Sequence, residues 1–287
     1  MGKRGSERDP RCMTSTSAPA LASTLTLGPV HLTVADLDRS VAWYQSALGL
    51  PVTARDDGTA SLGGVLVLHE DPLARPAGRT AGLYHYALLY PSRSELARAA
   101  VRLAVTQTPI QGASDHRTHE AIYLADPDGN GIELAADRPR EAWPADLGYS
   151  RGPEALDFPS LLATVEGEEP APRVGPGLRV GHLHLHVGDV EEALAFYRDV
   201  LGFELQAHLG TAAFVSAGGY HHHLGVNVWN GRGVSGPDEH TAGLRRWTVV
   251  VPDVASVRAR VPGAEDLPGG GFLARDPWGT AVALVAP

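Results

Sequence analysis

The feature that most constrains this chain is an internal repeat. The segment from Val30, VHLTVADLDRSVAWYQSALGL, recurs from Leu183 as LHLHVGDVEEALAFYRDVLGF. His31 matches His184, Asp36 matches Asp189, Tyr44 matches Tyr197 and Gly49 matches Gly202, at a constant offset without a gap. Self-similarity of this kind means that the chain folds as copies of one supersecondary unit.

Each copy reads as a strand of alternating character, an Asp suited to capping, and an amphipathic helix that ends at Gly. After Asp36, the residues Val41, Tyr44, Leu48 and Leu50 fall near one helix face, and after Asp189 so do Ala193, Phe196, Tyr197 and Leu201. Strand-like stretches follow, SLGGVLVLHE in one copy and the run from Ala212 through Trp229 in the other. A weaker second pair is also visible. GLYHYALLYPSRSELARAAV from Gly82 corresponds to GLRRWTVVVPDVASVRARV from Gly243. Both copies close with a tight turn and a last strand, DPDGNGIEL from Asp126 and DPWGTAVAL from Asp276. The expected fold class is α+β: four βαβββ modules, paired 1-2 and 3-4 into two domains with cupped mixed sheets. The expected boundaries are a disordered leader at 1–25, an N-terminal domain at 26–138, a linker rich in Pro, Gly and Glu at 139–177, and a C-terminal domain at 178–287.

Composition narrows the function classes. With 287 residues, 43% apolar and 20% charged, the chain is long enough and apolar enough for two globular domains. A formal charge of −9 argues against nucleic acid or an anionic membrane surface as partner. No stretch approaches the ~20 consecutive apolar residues of a membrane span. Cys12 is the only cysteine, which excludes an intrachain disulfide and fits a reducing, cytoplasmic compartment. Lys3, Arg4 and Arg8 precede a Ser/Thr/Ala/Pro-rich run without the apolar centre of a signal peptide, so the reading is a leader, with Met13 an alternative start.

The motifs DLDRSVAWYQSALGL, DPDGNGIEL and YHHHLGVNVW carry a resemblance over roughly residues 27–287. The chain resembles the vicinal oxygen chelate superfamily of glyoxalases, bleomycin-resistance proteins and extradiol dioxygenases, and within it the two-domain catechol 2,3-dioxygenase branch. The resemblance implies a metal held by His31 and His85 on the first strands of modules 1 and 2 and by Glu133 on the last strand of module 2. Two imidazoles and one carboxylate leave coordination positions free, which suits Fe(II), with Mn, Ni and Zn as alternatives. It also implies a small aromatic diol and O₂ as reaction partners, and a homo-oligomer by family habit. Tyr123, ten residues before Glu133, matches a Tyr that bonds the substrate oxygen. His116, in SDHRTHE, is the candidate general acid/base, and His69 is an alternative on the last strand of module 1.

At the matching positions of the second half, Arg246 stands for His85, Ala283 for Glu133 and Leu273 for Tyr123, while His184 stands for His31. Arg offers no lone pair and Ala no donor atom, so this half is expected to have lost the triad. It still carries His182, His184, His186, His221, His222 and His223. These are read as lining a cavity, supporting the interface between halves, making hydrogen bonds, or holding a second metal. Two further readings stay open: another metal-dependent enzyme, such as a glyoxalase-like isomerase or thiol transferase, and a metal-free protein that sequesters a small molecule.

Overall fold

The computed structural model describes residues 18–287. Most of the expected leader, with Cys12 and Met13, lies outside them. Its last part is folded: Leu21 and Leu25 are buried, and Leu21 N–H donates to Gly202 O at 2.8 Å. The leader expected at 1–25 is therefore corrected at its C-terminal end, because these leucines bury apolar surface in the core.

A short strand β1 (Thr26–Leu27) leads into module 1, which comprises β2 (Val30–Val34), α1 (Leu37–Ala47), β3 (Val52–Asp56), β4 (Thr59–Leu62) and β5 (Leu66–Glu70). Module 2 comprises β6 (Gly82–Tyr90), α2 (Arg93–Val105), β7 (Gly112–Asp115), β8 (His119–Ala125) and β9 (Gly131–Asp137). After β10 (Glu154–Ala155) and α3 (Phe158–Leu162) comes module 3. It has β11 (Arg179–His186), α4 (Val190–Leu194) continuing as a π-turn over Ala195–Val200, β12 (Glu204–His208), β13 (Ala212–Ser216) and β14 (Leu224–Asn227). Module 4 has β15 (Gly243–Val250), α5 (Val254–Arg258), β16 (Glu265–Asp266), β17 (Phe272–Arg275) and β18 (Ala281–Val285). The four βαβββ units read from the repeat are all present.

Local chemistry starts each helix. Asp36, Ser92, Asp157, Asp189 and Asp253 are the N-caps, each accepting a backbone N–H of the first turn with its side chain. Gly49 follows α1 at φ +69°, the left-handed conformation in which a helix stops at no steric cost. Within every module the first strand runs parallel to the last, and the remaining neighbours are antiparallel.

The pairing of modules differs from the expectation. β6 pairs antiparallel with β11, and β2 pairs antiparallel with β15. Modules 2 and 3 therefore share one cupped sheet and modules 1 and 4 the other, so the 1-2 and 3-4 pairing is corrected. Each first strand has its own module's last strand on one edge. The other edge accepts any first strand with a fitting face, so module order does not choose the partner. Module 1 meets module 2, and module 3 meets module 4, through helices and turns instead. Tyr44 Oη donates to Asp126 Oδ2 at 2.9 Å, and Tyr197 Oη to Asp276 Oδ2 at 3.0 Å. Asp126 also accepts the N–H groups of Asp128 (2.9 Å) and Asn130 (2.8 Å), which is why the DPDGNG turn needs that Asp.

The segment expected to be a linker is a folded strap. Leu156, Leu161 and Val165 are buried and belong to the core, α3 lies against α2, and Arg102 donates to Ala171 O and Arg173 O, both at 2.9 Å. Its polar composition conceals three apolar anchors. Among the described residues, no helix is long and apolar enough to cross a membrane.

Candidate metal centre

The alternation of β6 sends Tyr86 into the core and His85 to the concave face of the module 2–3 cup; both are buried. On β9, parallel to it, Ile132 and Leu134 are core residues and Glu133 faces the cup. Opposite lies β11. Leu88 pairs with Val180 and Tyr86 with Leu183, leaving Gly181 and His182 together opposite Ala87. This is a β-bulge, a device that re-aims a side chain within a sheet. Gly181 is required there, since a Cβ would stand 2.9 Å from the Leu89 Cβ.

The bulge brings His182 to Glu133. Glu133 Oε2 lies 3.1 Å from His85 Nε2 and 3.1 Å from His182 Nε2. Its Oε1 lies 3.2 Å from His119 Nε2, outside good hydrogen-bond alignment. The His85, Glu133 and His182 donor atoms all fall within 4.8 Å of one another. Burial pushes the Glu133 carboxyl up, but the field of His182 and the close approach of the His119, His182 and His85 imidazoles outweigh it and hold the group well below the usual carboxylate range. Glu133 is 1% exposed, and no Arg or Lys among the described residues forms an ion pair with it. A buried carboxylate is normally compensated by a cation or a metal. One surrounded by imidazole nitrogens fits the second case.

His85 and Glu133 thus come together as expected, but His31 does not join them. It sits in the module 1–4 cup, its Nδ1 2.9 Å from His69 Nε2 and its Nε2 3.4 Å from Arg246 Nη2. The physical reason is the strand seam, which gives β2 to β15 rather than β6. The second imidazole at Glu133 Oε2 is His182, from the half expected to have lost its ligands, so the centre spans both halves. The sequence did contain a signal. Pro29, His85, His182 and Arg246 each stand the same distance ahead of their module's helix cap, Asp36, Ser92, Asp189 and Asp253. Matching His31 to His184 passed over that position.

A cavity of about 380 Å³ opens above the centre, in the range of small-molecule sites. Tyr123 and His116 both line it, with Tyr123 Oη 2.7 Å from His116 Nε2. Burial, and then the neighbouring His119, lower His116 to about 4. Burial and the Glu133 carboxylate raise Tyr123 well above its ordinary value. His184, Phe214 and Trp229 form an aromatic wall, and Leu147 and Tyr149 of the strap close another side. His184 is buried, and its Nε2 has no hydrogen-bond partner among the described residues.

The three consecutive histidines have three separate roles. His221 Nε2 lies 3.2 Å from Asp137 Oδ1, and Asp137 Oδ2 accepts from Tyr220 Oη at 2.9 Å. His221 Nδ1 meets His222 Nδ1 at 2.9 Å. A carboxylate only accepts, so His221 carries its proton on Nε2 and offers a lone pair at Nδ1. His222 must then donate from Nδ1, which leaves its Nε2 as a free base in a residue that lines the cavity. His223 Nδ1 accepts Ala217 N–H at 3.2 Å. Sequence reading placed His182 and His222 only among six histidines that line a cavity, support the interface or hold a second metal, and did not join them to His85 and Glu133.

Comparison with known proteins agrees with this architecture. The chain is 42% identical over 237 residues to Catechol-2,3-dioxygenase of Bacillus subtilis (strain 168), covering 79% of this chain and 82% of that protein. Its fold matches glyoxalase I from Zea mays at a TM-score of 0.58 with 19% identity, covering 92% of each chain. It also matches a solved protein of Bacillus subtilis strain 168 at a TM-score of 0.63 with 12% identity, covering 94% of this chain and 86% of that one. The sequence profile of the Glyoxalase/Bleomycin resistance protein/Dioxygenase superfamily matches residues 26–134 and 179–260, and the chain belongs to that superfamily.

Proposed function

We propose that this protein is an Fe(II)-dependent extradiol dioxygenase that cleaves a catechol-like ring. The observation that carries the reading is Glu133, a buried carboxylate with His85 and His182 imidazoles at 3.1 Å and no Arg or Lys partner among the described residues. His85, Glu133 and His182 would hold the metal as a two-histidine, one-carboxylate set with open positions. Bound there, Fe(II) supplies the site at which the two substrate oxygens and O₂ meet and the route for electrons between them.

The remaining work falls to the chain's own groups. Tyr123 donates a hydrogen bond to a substrate oxygen, and His116, 2.7 Å from its hydroxyl, takes part in moving that proton. His222, held by the Asp137–His221 pair with Nε2 unprotonated, is the base on the other side of the cavity. The aromatic wall of Phe214 and Trp229 orients the ring by stacking. The Bacillus relative named Catechol-2,3-dioxygenase supports the substrate class.

The test is anaerobic purification, metal analysis, and assay of the iron-loaded protein with catechol and O₂. A yellow ring-fission product that disappears on chelation and in Glu133→Ala is expected. Bound iron without ring cleavage of any catechol would overturn the assignment, and metal-free protein with chelator-insensitive ligand binding would indicate a sequestering function.

A further inference from the structure

The module 1–4 cup repeats the strand seam of the metal centre with a different floor. Arg246 faces His31 across it as His85 faces His184. Thr248 pairs with Ala283 as Ala87 pairs with Glu133, and Leu273 pairs with Ala283 as Tyr123 pairs with Glu133. The carboxylate and the tyrosine are thus gone from this floor, and Pro29 stands where the other cup has His182.

What occupies the floor is a run of donors. Arg246 can only donate, so at 3.4 Å from Nη2 the Nε2 of His31 is the acceptor. His31 then carries its proton on Nδ1 and donates it to His69 Nε2 at 2.9 Å. His69 in turn keeps its proton on Nδ1, which has no acceptor among the described residues. Arg245 adds a second guanidinium whose field, with that of Arg246, reaches both histidines. Neither arginine forms an ion pair among the described residues. Asp71, a carboxylate that feels Arg245, is already held by His240 at 2.8 Å and by Leu73 N–H at 3.0 Å. Arg246, His31 and His69 are only part-buried, so solutes can reach them. In a chain of net charge −9, a strand seam with the Arg246 guanidinium, the exposed Arg245 guanidinium near enough for its field to reach it, and a donor chain without a final acceptor among the described residues is built for an oxyanion.

We propose that the module 1–4 cup is a binding site for a small oxyanion, the phosphate or carboxylate group of a metabolite, recognised by Arg246, Arg245 and His69. The site uses no residue of the metal centre, so it stands or falls separately from the dioxygenase reading.

The probes are inorganic phosphate and malonate, each titrated calorimetrically against the full chain at constant ionic strength with chloride as the reference. Saturable binding of at least one is expected, and the stronger probe identifies the group recognised. Arg246→Met should weaken it about tenfold or more, the worth of a charge-assisted hydrogen bond. His69→Ala, which removes the terminal donor and leaves both arginines, should weaken it less. His182→Ala, in the other cup, should leave it unchanged. Circular dichroism melts establish that each variant is folded. No saturable binding of either anion, or equal affinity in folded Arg246→Met, overturns the proposal.

Discussion

The exchange of His31 for His182 in the metal centre can be tested by a pair of substitutions. His182→Ala removes one of the two imidazoles that sit 3.1 Å from Glu133 Oε2, while His31→Ala touches only the other cup. Structural zinc sites with four ligands are worth roughly 10–16 kcal/mol, so one ligand of such a set contributes on the order of 3 kcal/mol, about a hundredfold in affinity. The metal-free protein feels the change as well. A hydrogen bond to a buried carboxylate is worth about 1.5–3 kcal/mol, and loss of a buried ring adds a cavity. In a chain of this size, about 3 kcal/mol corresponds to a fall in Tm of roughly 6–12 °C. Metal content after dialysis against a weak chelator, together with thermal melts of the stripped protein, reads both effects. His182→Ala is expected to lose the metal and melt earlier, and His31→Ala to keep the metal at wild-type stoichiometry. The reverse pattern would refute the assignment and restore His31 as the ligand.

Other consequences follow from the same geometry. Tyr123→Phe should retain bound metal and lose turnover by about 10–100-fold, the usual range for a group next to the ligands; steady-state kinetics at full metal occupancy would return it to a structural role if turnover is unchanged. Asp137→Ala frees the His221 tautomer and with it the Nε2 lone pair of His222, so kcat should fall while KM and metal content hold, and an unchanged kcat would remove the relay from the chemistry. Burial lowers His31 to about 3 and His69 and His116 to about 4. Protons therefore bind the unfolded chain more tightly. The stability these groups contribute is complete above about pH 6.5 and is lost as pH falls through 4 towards 3. Melts of chelator-treated protein between pH 8 and 4 should decline on the acid side, and a flat profile would contradict the buried, neutral histidines.

Much of this molecule is local and therefore legible in the chain. The modules announce themselves through period-2 strands, Asp caps and glycine stops, each of which acts within a few residues. The DPDGNG turn is fixed by Asp126 accepting its own neighbours' N–H groups. His85, Glu133, Tyr123 and His116 all belong to module 2 and converge because one module's strands lie side by side. The sequence could not say which module supplies the opposite wall. Every first strand offers a similar free edge, and the pairing of β6 with β11 rests on the fit of whole faces across long separations. The bulge at Gly181–His182 exists only in that pairing, so the third ligand became visible only when the strands met. The strap at 139–177 likewise read as a linker by composition. Its three buried apolar residues, Leu156, Leu161 and Val165, anchor it to the core once α2 is there to receive it, and Leu147 and Tyr149 then close one side of the cavity.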